Sequence, residues 1–127
     1  MRSNQGQGDF QKVDLPESMA YNKSMIFIET PIFTEDITKV LSDNEYTELQ
    51  HFLALNPESG KVIQGSGGFR KLRWKIENRG KSGGIRIIYY LYKSEDLIYM
   101  IYVYKKSEKE DLTQHQIKLL RNMLGDN

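Results

Sequence analysis

The chain has 127 residues, 18 Lys and Arg against 17 Asp and Glu, and no cysteine. That length fits one domain with a core able to fold unaided, and the missing cysteines exclude disulfide frameworks and thiolate metal sites. No apolar run reaches the ~20 residues of a membrane span and none follows a basic start as a signal peptide would, so the expected location is cytoplasmic, with no membrane partner.

Residues 1–24 are rich in Gly, Gln, Asn and Ser and show no sustained period. They read as a disordered leader or expression remnant, with the folded domain at 25–127. Met25 to Glu29 is a short apolar run that suits a strand, closed by Thr30 and Pro31. Thr34 is expected to cap a short helix carrying Ile37, Val40 and Leu41 on one face. Ser42-Asp-Asn-Glu45 is a capping box that opens a second helix with Tyr46, Leu49, Phe52 and Leu53 inward. Asn56-Pro57 ends it, since the residue before proline is pushed out of the helical region.

A glycine-rich connection, 60–68, leads to the most ordered pattern in the chain. From Arg70 to Ile76 apolar and basic residues alternate, so Leu72, Trp74 and Ile76 point one way and Lys71, Arg73 and Lys75 the other. A loop at 77–84 joins this strand to a second, Ile85 to Tyr92. Ile85, Ile87, Tyr89 and Leu91 share one face of it, and Arg86, Ile88, Tyr90 and Tyr92 the other, which places Arg86 on the more polar side. After a turn at Ser94-Glu95-Asp96, the run Leu97 to Tyr104 is apolar on both faces, as a doubly covered central strand would be. Ser107-Glu-Lys-Glu110 predicts one helical turn, and Thr113-Gln-His-Gln116 caps a closing helix with Ile117, Leu120 and Leu124 in register. The sum is an α+β domain: an antiparallel sheet with two helices before its three-strand meander and one after.

Charge is segregated along this plan. Between Lys61 and Lys93 nine cations face the single acid Glu77, whereas between Met25 and Gly60 seven acids face Lys39 alone. Clustered cations capture polyanions, and aromatics interleaved with them suit bases and phosphates together. The plainer alternative is an edge strand kept soluble by long charged side chains. Other motifs fail. Gly80-Lys81-Ser82 resembles the tail of a phosphate-binding P-loop, but Lys75 stands where that motif needs glycine and a strand follows instead of a helix. His51 and His115 lack a second ligand at metal spacing. No cofactor or metal is expected, and any chemistry falls to Lys, Arg, Tyr, Asp or Glu.

Gly67-Gly68-Phe69-Arg70-Lys71-Leu72-Arg73, followed by Gly84-Ile85-Arg86-Ile87-Ile88-Tyr89-Tyr90, resembles the RelE superfamily of bacterial toxins, and within it the HigB-type branch. The likeness runs from about Met25 to about Leu124. It implies an endoribonuclease that cuts messenger RNA, typically in the ribosomal A site, and a cognate antitoxin, of helix-turn-helix type, that holds it inactive. Operator DNA would be reached only through that antitoxin. Arg86 matches the family's arginine at the scissile phosphate. Lys71, Arg73 and Lys75 stand on the strand that carries its other basic catalytic residues, and Lys106 sits where many relatives have arginine. The tyrosine that well-studied relatives place near the last helix is Leu112 here.

The residue chemistry agrees with that implication. Arginine grips phosphate oxygens through two parallel donors, which suits Arg86 and Arg73 to charge stabilisation. A lysine among other cations has a lowered pKa and can move a proton, which makes Lys71 and Lys75 the candidates. Arg70, Arg79, Lys81 and Lys105 would add phosphate contacts, and Tyr90 and Tyr92 would stack a splayed base or else pack under the closing helix. Two other classes use the same basic face: a binding module for RNA or ribosomes that does not cleave, and a regulatory protein that matches an acidic partner.

Overall fold

The computed structural model describes residues 25–76 and 84–125. The leader expected at 1–24 and the loop with Arg79 and Lys81 lie outside these residues. Chain order is β1 (Ile26–Glu29), α1 (Pro31–Val40), α2 (Asp43–Leu55), β2 (Lys61–Val62), β3 (Phe69–Trp74), β4 (Ile85–Tyr92), β5 (Leu97–Lys105) and α3 (Gln114–Met123). The described strands form one sheet in the order β1-β5-β4-β3-β2.

The α+β class stands, but the sheet is mixed. β2 through β5 are antiparallel neighbours, while β1 runs parallel to β5, with Ile26 opposite Leu97 and Ile28 opposite Tyr99. Apolar periodicity marks a strand without giving its direction, so the parallel edge was not readable from sequence. β2 is only two residues long and sits inside the glycine-rich connection at 60–68.

Helix starts follow local capping chemistry. α1 begins four residues before the expected Thr34. Thr30 is its N-cap, accepting a hydrogen bond from Phe33 N at 3.1 Å, and Pro31 takes the first turn, where its missing N–H costs nothing. The Thr30 hydroxyl also donates to the Ile101 carbonyl at 2.8 Å, which ties the helix start to β5. Thr34 instead donates to Glu29 Oε1 at 2.6 Å. The boxes at Ser42 and Thr113 form as expected. The one at Ser107 does not: residues 106–108 make a turn closed by Glu108 N donating to Lys105 O at 2.9 Å.

Both sheet faces are covered. Phe33, Ile37, Leu41, Leu49 and Leu53 from α1 and α2 pack on Leu72, Ile85, Ile87, Tyr89, Ile98, Met100 and Val103. On the opposite face Ile117 and Leu120 of α3 pack on Phe69, Ile88, Ile101 and Tyr104. The alternation read for β3 and β4 therefore holds. In β5 a bulge interrupts it: Ile88 faces Tyr102 while Tyr89 faces Met100, so Ile101 is the extra residue. Ile101 and Tyr102 then both join the α3 layer. α3 is short, and it leaves the far end of that face to the segment that joins β5 to α3.

Candidate functional site

The site is built where β3, β4 and β5 run side by side beneath that joining segment. Arg73 lies directly opposite Arg86 on β3, and Tyr104 directly opposite it on β5. Lys71, two residues before Arg73, shares the same face. The segment after β5 crosses this end of the sheet and lays Glu110 and Asp111 over the cations.

Arg86 is not the exposed residue its place on a polar face predicted. Its side chain is 7% exposed, and its guanidinium forks onto one carboxylate, with Nε donating to Glu110 Oε2 at 3.0 Å and Nη2 to Oε1 at 2.9 Å. Such a charge-assisted pair of parallel bonds is the arrangement by which arginine also holds phosphate. Arg86 Nη1 donates to the Ile85 carbonyl at 3.3 Å, which fixes the plane of the fork. Arg73 Nη2 stands 3.5 Å from Glu110 Oε2, with its side chain 70% exposed. Lys71 Nζ, 15% exposed, lies 3.6 Å from the same oxygen. It also donates to Asp111 Oδ1 and, at 3.4 Å, to the Glu110 carbonyl. Tyr104 donates its hydroxyl to that carbonyl at 2.9 Å and so pins the backbone that carries the acid.

Electrostatics follow the geometry. Hydrogen bonding from Arg86 holds the Glu110 carboxyl below the ordinary carboxylate range; partial burial opposes this, and the charges of Arg86, Lys71 and Arg73 add to it. Burial pushes the Tyr104 phenol up to about 12, helped by Asp111 and opposed by Arg86. The protonated phenol serves as the donor to the Glu110 carbonyl. Lys109 Nζ lies 5.7 Å and 5.6 Å from the ring centres of Tyr102 and Tyr104, capping both.

Of the expected site residues, Arg86, Lys71 and Arg73 are brought onto one carboxylate. Lys75, Lys105 and Lys106 are exposed at the same end of the sheet, where Lys106 N donates to the Gly84 carbonyl at 3.0 Å. Arg70 alternates onto the opposite face and holds the Glu58 and Gly60 carbonyls at 3.0 Å and 2.7 Å. Tyr90 and Tyr92 lie four and six residues further along β4, roughly 13 Å and 20 Å from Arg86 at strand spacing. They belong to an aromatic row with Phe69 and Tyr99, with centroid separations of 4.9–6.2 Å. Sequence reasoning missed Glu110, Asp111 and Tyr104. Glu110 has the local pattern of a capping box, and nothing local distinguishes an acid that reaches back across 24 residues to an arginine.

The described residues contain no group of three or more His, Asp or Glu placed to hold a metal ion. No described helix is long and apolar enough to cross a membrane.

A family model described as the RelE toxin of the RelE / RelB toxin-antitoxin system matches residues 35–126. The chain belongs to the RelE toxin family. The match spans Lys71, Arg73, Arg86, Glu110 and Asp111, so the whole cation cluster and its acidic cover lie inside the region the RelE family shares. Among solved structures the fold is similar to that of E. coli toxin RelE, a double arginine-to-alanine mutant in the free state. The TM-score is 0.51 at 14% identity, over 69% of this chain and 90% of that one. This RelE likeness confirms the architecture, a mixed sheet between two N-terminal helices and one C-terminal helix.

Proposed function

We propose that this protein is an endoribonuclease toxin that cleaves messenger RNA on the ribosome and is restrained by a cognate antitoxin. Membership of the RelE family supports the toxin reading. The observation that carries the chemistry is the convergence of Arg86, Arg73 and Lys71 on a single anionic group.

RNA can be cut by its own 2′-hydroxyl. The 2′-oxygen loses its proton and attacks phosphorus, the bond from phosphorus to the 5′-oxygen breaks, and that oxygen takes up a proton. A phosphate in the place of the Glu110 carboxylate would receive the two parallel donors of Arg86. The held fork would stabilise charge gained in the pentacoordinate transition state, as preorganised donors do. Arg73 would add a second cation from the exposed side. Lys71 stands beside the same position and is the residue we assign to proton transfer, although in the free chain its Nζ sits against Glu110 and Asp111 and not among cations as the sequence suggested. Lys75 and Lys106 would hold neighbouring phosphates. A partner of helix-turn-helix type, which alone would touch operator DNA, completes the reading.

Induced expression in a bacterium should stop growth and translation, and co-expression of the adjacent antitoxin gene should restore both. Purified protein should cut messenger RNA on programmed ribosomes at defined positions. Normal growth with abundant, folded, antitoxin-free protein would overturn the reading. RNA or ribosome binding without any cut would favour the non-cleaving binding module.

A further inference from the structure

Glu110 does more than neutralise its neighbours. Its two oxygens occupy the positions that a phosphate's two oxygens would take on the Arg86 fork, at 2.9 Å and 3.0 Å. Its Oε2 also stands between Arg73 and Lys71, at 3.5 Å and 3.6 Å. Any anion entering this site must first lift a carboxylate that the chain itself supplies. That carboxylate is 42% exposed and sits in a turn-rich segment, whereas the cations project from the sheet. The acid is therefore the movable partner and Arg86 the fixed one. Its main chain stays anchored through Tyr104 and Lys71, so only the side chain needs to leave.

We propose that Glu110 is a specificity-determining residue: it stands in for the scissile phosphate in the free protein, and so admits polyanionic RNA while excluding inorganic phosphate and mononucleotides. The inference rests on the reading of Arg86 as a phosphate seat. Its physical basis is a competition. A tethered group acts at an effective concentration on the order of millimolar or above, so a free phosphate gains little by exchanging one anion for another on the same fork. A strand of RNA places further phosphates near Lys75 and Lys106 at the same time, and those contacts offset the loss of the internal pair. Asp111, which engages Lys71, reinforces the barrier from the side.

Calorimetric titration of inorganic phosphate and of a non-cleavable 2′-O-methyl RNA oligonucleotide into wild type, Glu110→Gln and Glu110→Asp tests this. Removing the competing charge should tighten phosphate binding in Glu110→Gln by at least about tenfold, roughly the change that one charge-assisted hydrogen bond supports. The RNA should gain proportionally less, and Glu110→Asp should remain close to wild type. Adding Arg86→Lys to Glu110→Gln should abolish the phosphate gain. A Glu110→Gln protein that binds phosphate no better than wild type overturns the proposal, as does a gain that survives Arg86→Lys. Should Glu110→Gln fail to fold, the wild type still decides: the Arg86 Nε–H resonance must shift on saturation with the RNA, and an unmoved resonance at saturation sinks the exchange. None of these readouts requires cleavage. A gain without cleavage removes the nuclease reading and keeps the exchange, while cleavage without a gain does the reverse.

Discussion

Lysine and arginine play different parts in this cluster, and substitution can separate them. Lys71→Arg keeps a cation against Glu110 and Asp111 but cannot lose a proton near neutral pH, whereas Lys71→Gln loses both properties. If Lys71 moves the proton, both variants should lose about a hundred- to ten-thousand-fold in cleavage rate, while Lys71→Arg still binds ribosomes well. A Lys71→Arg variant that retains most of its rate would confine this residue to charge. The Arg86–Glu110 pair has its own signature in pH. Glu110 titrates below its ordinary value of 4.5 in the folded chain. Its contribution to stability is thus present above that value and fades as pH falls through the lowered one. The difference in Tm between wild type and Glu110→Gln should stay level from neutral pH down to about 5 and shrink below about 4.5. A difference that already shrinks between pH 7 and 6 would contradict the pairing. Burial also changes what truncation of Arg86 means: Arg86→Ala should cost about 1–3 kcal/mol of stability, since it removes a packed stem and leaves polar groups without their partner. The conservative Arg86→Lys is therefore the better test of chemistry.

At the level of elements, local signals were legible wherever they were self-contained. The period-2 faces of β3 and β4, with Leu72, Trp74 and Ile76 on one side and Lys71 and Arg73 on the other, survive intact because each face meets a different layer. The capping boxes at Ser42 and Thr113 form because donor and acceptor lie three residues apart. What failed depended on partners far away in sequence. The bulge at Ile101 follows from how β5 sits against β4, and the direction of β1 from which edge it joins. Thr30 closes the first strand and also starts a helix. Both of its roles can be tested together. Thr30→Ala removes the N-cap of α1 and the hydrogen bond to the Ile101 carbonyl, and should cost about 1–2 kcal/mol in denaturant unfolding. Thr34→Ala, by contrast, should stay within about 0.5 kcal/mol, as a change at an exposed position does. A larger effect at Thr34 than at Thr30 would return the helix start to the later position.

For the molecule as a whole, the segregated charge seen in the sequence is a guide to one end of the sheet. The cations of β3 and β4 do gather there, but not all of them: Arg70 turns to the other face and braces the chain at Glu58 and Gly60. The acids of the N-terminal half lie largely in α1 and α2, on the opposite side of the sheet from α3. The counter-charge for the site comes instead from Glu110 and Asp111, close to the chain's end. Membership of the RelE toxin family could thus be read from the basic strand and the run that follows Gly84. The acidic cover over the cations could not, because it depends on a segment whose local pattern is that of an ordinary turn.

The role proposed for Arg86, holding the phosphate at which RNA is cut, is decided by the rate of ribosome-dependent messenger RNA cleavage by purified Arg86→Lys. That variant keeps the positive charge and loses the two-donor fork. It should remain folded and ribosome-bound while cleaving about a hundred- to a thousand-fold more slowly than wild type, the typical loss for one preorganised donor to a transition-state oxyanion. Cleavage by Arg86→Lys at the wild-type rate would remove Arg86 from the scissile phosphate.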